Sequence, residues 1–195
     1  GAGTLTLTNA TNTYTGDTIL TAGTLNAKSD GSLGDLSSAI VFNGGTLQAG
    51  SDFSSTARTM TINTGKAAAI DIADPAKSLT ASGVISGNGD LIKTGAGKLM
   101  LAGTNTYTGT TILSAGTLSI ASDGNLGANS IAFETATLEV TNSTTIDNAF
   151  FLNTNGTGTI DAQGNAVTVS GGISGAGDLV KTGAGTLTLS GIGTH

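Results

Sequence analysis

Two long stretches of this chain repeat one another almost residue for residue. Tyr14 to Gly34, YTGDTILTAGTLNAKSDGSLG, and Tyr107 to Gly127, YTGTTILSAGTLSIASDGNLG, agree at 15 of 21 positions at an offset of 93. Ile85 to Leu99 and Ile173 to Leu187 agree at 12 of 15 positions at an offset of 88. Self-similarity of this kind has to be explained by any fold proposed for the chain. It divides the 195 residues into a single repeat-built unit with long repeats over 1–94 and 95–182 and the start of a third over 183–195.

A finer period lies inside the long one. Gly3-Thr4-Leu5, Gly23-Thr24-Leu25 and Gly45-Thr46-Leu47 recur at intervals of about 20 residues. Gly97-Lys98-Leu99, Gly116-Thr117-Leu118 and Ala136-Thr137-Leu138 keep the same interval. Each begins a short run in which polar and apolar residues alternate, as in Thr4-Leu5-Thr6-Leu7-Thr8. Alternation of period two places one side of a strand in a core and the other in water. A coil of about 20 residues cannot bury its apolar side alone, but stacked coils can.

The fold class expected is therefore all-β, a single-stranded parallel β-helix (solenoid) of roughly nine or ten coils of about 20 residues. Leu5, Leu25 and Leu47 should stack inside, with Thr4, Thr24 and Thr46 as an outward ladder. Asn43-Gly44, Asp30-Gly31 and Asp123-Gly124 should turn corners. An antiparallel sandwich also has short alternating strands, but it does not account for one period nested in another.

Composition agrees. The chain has 31 Gly and 35 Thr, residues of turns and strands, and only 10% charged and 4% aromatic residues. No apolar run reaches the roughly 18 residues of a membrane-spanning helix. Net charge is -6 with 7 Lys+Arg, too few for the basic footprint of a nucleic-acid partner. With no cysteine, disulfides, thiolate metal sites and thiol nucleophiles are excluded.

The run Gly83-Val84-Ile85-Ser86-Gly87-Asn88-Gly89-Asp90-Leu91-Ile92-Lys93-Thr94-Gly95-Ala96-Gly97-Lys98-Leu99 leads into Asn105-Thr106-Tyr107-Thr108-Gly109 and Ala115-Gly116-Thr117-Leu118. It closely resembles the autotransporter-associated β-strand repeat of bacterial type V secretion passengers, and recurs at 171–190 and, without its first part, at 1–34. The resemblance implies a right-handed β-helix exported across the outer membrane, at the bacterial cell surface or released from it. It also implies that the chain, starting at Gly1 and ending inside a repeat, is a segment of a longer passenger. His195 reads as a tag remnant.

Reactive groups are scattered. Asp71, Asp74, Asp90, Asp161 and Asp178 fall singly, and Asp71/Asp161 and Asp90/Asp178 are repeat equivalents, which suits corner residues better than catalysts. Gly87-Asn88-Gly89-Asp90-Leu91 and Gly175-Ala176-Gly177-Asp178-Leu179 share part of the calcium-binding nonapeptide pattern, but reading them as Asp capping its own Gly-rich turn is simpler. Tyr14 and Tyr107 are expected to pack within the repeat. Lys93 and Lys181 are expected beside corners, discouraging sideways sheet pairing. Arg58 is the only arginine. No catalytic, metal-binding or cofactor-binding residue is expected, and no cofactor. The expected role is a non-catalytic stalk or spacer of an adhesin-like passenger. The alternative is a surface module using Thr-rich faces for glycan, host protein or ice. Expected partners are a host surface or glycan, the neighbouring coils of the same passenger and, for the isolated segment, a second copy end to end.

Overall fold

The computed structural model describes residues 1–51 and 53–193; His195 lies outside the described residues. The described chain is a parallel β-solenoid of about nine coils, each crossing three faces in turn. Its strands pair in parallel with those of the coils before and after. Among its elements no helix is long and apolar enough to cross a membrane.

Face 1 carries, from the first coil to the ninth, Thr4–Leu7, Thr24–Ala27, Thr46–Ala49, Ala67–Asp71, Asp90–Thr94, Thr111–Leu113, the first part of Ile131–Val140, the first part of Phe150–Asp161, and Ile173–Gly175. Face 2 begins with irregular chain in the first two coils. It continues through Ser55–Thr56, Ser78–Ala81, Lys98–Leu101, Thr117–Ile120, the second parts of the two long strands, and Asp178–Thr182. Face 3 starts with Thr18–Leu20, Ile40–Phe42, Met60–Ile62 and Ile85–Gly87 and ends with Thr144–Ile146, Ala166–Val169 and Thr186–Leu189. Between these, the Asn105 to Thr108 segment bonds to Ile85 O and Gly87 O below, and Ala128 N–H to Tyr107 O.

The Thr-Leu alternation sets the register. Leu5, Leu25 and Leu47 align, as do Leu79, Leu99, Leu118 and Leu138. Parallel stacking puts like side chains on like, so the core is continuous Leu, Ile, Val and Phe, with Phe133 edge-on to Phe150 at 5.4 Å. Leu5 belongs to this column but is 61% exposed at the end of the described stack. Leu5, Leu7, Tyr14, Leu20 and Leu25 there line an open groove of ≈ 610 Å³.

Coil length is not fixed: Ile131 pairs with Phe150, whereas Met60 pairs with the more distant Ile85. The spare length goes to the corners. Asn43-Gly44 is a bend, as expected, but Asp30 and Asp123 each open a short 3-10 turn, Asp30–Leu33 and Asp123–Asn125. Ser29 and Ser122 cap these turns reciprocally with Ser32 and Asn125, satisfying backbone donors that a corner would leave bare.

Candidate functional site

Polar side chains that could do chemistry fall into four groups. The first is a rail on the outside of the sheet. Asn26 Nδ2 donates to Gln48 Oε1 at 2.5 Å, Gln48 Nε2 to Asp71 Oδ2 at 2.6 Å, and Thr94 Oγ1 to Asp71 Oδ1 at 3.3 Å. It spans four coils. A second rail uses the equivalent residues of the next repeat: Ser119 Oγ donates to Glu139 Oε1 at 2.8 Å, and Gln163 Nε2 reaches both Glu139 and Asp161. Lys98 Nζ closes on Glu139 at 2.8 Å. Asp71 thus receives hydrogen bonds from amide and hydroxyl donors, and Asp161, stacked on Glu139, shares the Gln163 amide with it.

The second group is corner aspartates. Asp90 does not cap its own turn, as its Gly-rich setting suggested. Its Oδ1 accepts from Thr110 N–H, one coil on, at 2.8 Å. Asp17 and Asp123 do the same for Ala39 and Asp147. A parallel coil leaves backbone donors unpaired where its strands end, and a carboxylate from the coil below satisfies one. Asp178 occupies the corresponding place, exposed, in the last described coil. Among the described residues no three His, Cys, Asp or Glu side chains come together as a metal site would need. Calcium or EDTA should therefore leave the melting temperature of the protein unchanged; a calcium-dependent rise of several degrees would show a bound ion.

The third group is the tyrosines. Tyr107 is fully buried, with its hydroxyl 2.6 Å from Thr111 Oγ1; Tyr14, in the first coil, makes the same bond to Thr18 at 2.8 Å but is 40% exposed. Each ring lies on a glycine of the following coil. A Cβ on Gly127 would sit 2.4 Å from the Tyr107 ring, so the pair is a packing unit. Burial raises the Tyr107 phenol above its ordinary range.

The fourth group is two buried cations, one of which, Lys93, corrects the reading from sequence. Lys93 flanks a corner, as expected, but it does not blunt the sheet edge. It is 1% exposed, points inward, and its Nζ donates to Thr94 O at 2.6 Å, Gly95 O at 2.7 Å and Ala115 O at 3.2 Å. Three N–H groups meet three carbonyls, the last from the next coil. Lys181 makes the first two of these bonds in the ninth coil and is exposed. Arg58 is 2% exposed and spends all five N–H groups on the irregular loop of the second coil: Nε on Asp30 Oδ1 at 2.8 Å, and the terminal nitrogens on Asp30 O, Gly34 O, Asp35 O and Ser38 O. In the next repeat Asn148 replaces it, donating to Gly127 O and Asn129 O.

Burial lowers the Lys93 ammonium to about 8, partly offset by Asp71. The unfolded chain holds that proton to about 10.5, so between these values the unfolded state binds more protons and stability rises with pH. Measured against Lys93→Met, the melting temperature of the native protein should rise by several degrees between about pH 7.5 and 10.5. A fall over that window would mean that the carbonyls hold the ammonium charged.

Comparison with known proteins agrees with this architecture. The passenger-associated-transport-repeat family matches residues 1–27, 91–120 and 179–195. The chain is 43% identical over 109 residues, 55% of its length, to the adhesin BmaC autotransporter of Brucella suis biovar 1 (strain 1330). It spans only 3% of that protein. No solved structure matches. The matched segments hold Tyr14, Tyr107, Lys93, Lys181 and several of the Gly-Thr-Leu strands, so the chain carries stretches similar to the passenger repeats of autotransporters, a likeness that indicates secretion to the cell surface.

Proposed function

We propose that this segment is a non-catalytic stalk, a rigid spacer within an adhesin-like passenger. One observation carries the reading: the polar groups that recur with the repeat are spent on coil-to-coil bonds. The rails, the aspartates Asp17, Asp90 and Asp123, the tyrosine units and the inward Lys93 each tie one coil to the next. Groups so engaged stiffen a rod and leave no convergent set to hold a substrate. The relative's name, an adhesin, suits a passenger that must hold a contact site away from the cell.

The test is replacement in a surface-displayed passenger. Exchanging this segment for an unrelated solenoid of nine coils should preserve attachment, and deleting it should reduce attachment by shortening the reach. Loss of attachment on exchange, or binding of the isolated segment on a glycan array, would overturn the spacer reading in favour of a binding module.

A further inference from the structure

We infer that the long repeat is cut to four and one-third coils, so that each copy is turned by one face, and that this keeps an extended array of such repeats straight. The inference rests on the spacer reading and supplies its mechanism. The strand Thr4–Leu7 lies on face 1 in the first coil; its counterpart Lys98–Leu101 lies on face 2 in the fifth; Thr186–Leu189 lies on face 3 in the ninth. Thr18–Leu20 on face 3 becomes Thr111–Leu113 on face 1. Ile85–Gly87 on face 3 becomes Ile173–Gly175 on face 1, and Asp90–Thr94 on face 1 becomes Asp178–Thr182 on face 2. The outer rails move likewise, from Gln48 and Asp71 on face 1 to Glu139 and Asp161 on face 2. Each step runs in the same sense, 1 to 2 to 3 to 1.

What is kept from copy to copy is the number of face crossings, not the number of residues. The offsets of 93 and 88 are unequal, yet both advance the pattern by one face. Coils of unequal length absorb the difference at their corners.

The consequence is mechanical. Curvature in a solenoid is the accumulated asymmetry of its repeats. This repeat is asymmetric, since its 3-10 turn adds bulk to a single face: Asp30–Leu33 on face 2 in the first copy, Asp123–Asn125 on face 3 in the second. Were the repeat a whole number of coils, that bulk would stack on one side and bend the rod further with every copy. A remainder of one-third spreads it over three sides, and the bends cancel after thirteen coils, about 62 Å at about 4.8 Å per coil. The same rotation keeps equivalent side chains from recurring on one face at any shorter distance, so no planar lattice of repeat-borne groups can form.

The chain allows a direct test. Residues 1–7 and 183–189 are the same heptapeptide, Gly-Ala-Gly-Thr-Leu-Thr-Leu, so copies of 1–182 can be joined in register. Three joined copies would make 26 coils, and electron microscopy and small-angle scattering should show a straight rod of about 125 Å. An arc of constant curvature would overturn the inference. Since the chain has no cysteine, spin labels at introduced cysteines test the rotation independently. Thr24 and Ile112 lie four coils apart on one face; Thr24 and Thr117 are repeat equivalents on different faces. The Thr24→Cys/Ile112→Cys pair should give the shorter distance, and the reverse order would show that equivalents stack. A straight rod that nonetheless bound glycan would leave the rotation standing and overturn only the spacer reading.

Discussion

Arg58→Ala should lower the unfolding free energy by about 3–5 kcal/mol, the cost of removing one partner from a buried, hydrogen-bonded ion pair. The guanidinium fills the second-coil loop between Ser29 and Ala39. Without it, Asp30 loses its ion pair, and the carbonyls of Asp30, Gly34, Asp35 and Ser38 lose a donor. Buried acceptors left unpaired cost more than the bonds gained in making them. Arg58→Lys keeps the charge but offers three N–H groups on a flexible stem where five in a flat fork are used, so it should recover less than half of the loss. Urea unfolding measures both values. Limited proteolysis should report cleavage near Asp35 to Ser37, which are already exposed, before the rest of the rod opens. A change within about 0.5 kcal/mol for Arg58→Ala would place it among ordinary surface substitutions and remove the staple from the account.

Arg58 also marks the limit of what the sequence could tell. The stacks Leu5–Leu25–Leu47 and Leu99–Leu118–Leu138 were legible because period-two alternation and a coil of about 20 residues leave one register that buries every leucine. The tyrosine packing followed from its recurrence. Arg58 has no copy in the second repeat, where Asn148 does related work with different atoms, so repetition gave no signal. Lys93 did carry a signal. In Asp90-Leu91-Ile92-Lys93 it shares the parity of the inward Leu91, and the alternation rule alone puts it inside. Its charge argued for the surface, and the three carbonyls that satisfy that charge come from corner geometry no pattern shows. Asp90 was likewise given the wrong partner: an Asp followed by glycines and turns suggests a local cap, but stacking brings Thr110 N–H of the next coil within 2.8 Å. The rotation of the repeat was hidden because coil lengths vary, and dividing 93 by about 20 does not yield a third of a coil.

The steepest dependence on position is expected at the Thr-Leu dipeptides. Leu118 is fully buried between Leu99 and Leu138, while Thr117, its neighbour in sequence, lies outside between Lys98 and Thr137. Leu118→Asp would force a carboxylate into a column with no donor, and it should cost at least about 4–5 kcal/mol, the exceptional end of the range for single substitutions. Leu118→Ala removes the side chain without the charge and should cost about 2–5 kcal/mol. Thr117→Asp changes a half-exposed site next to the Lys98 ammonium and should stay within about 0.5 kcal/mol. The same dipeptide in the first coil gives the internal control. In the isolated segment of residues 1–195 Leu5 shares the inward register but is 61% exposed, so Leu5→Asp there should cost far less than Leu118→Asp despite identical chemistry. Denaturation midpoints for the four variants order the costs. Equal losses at Leu118 and Thr117 would mean that the strand faces the other way. Equal losses at Leu118 and Leu5 would mean that the first coil of the isolated segment is covered, as it would be by a second copy.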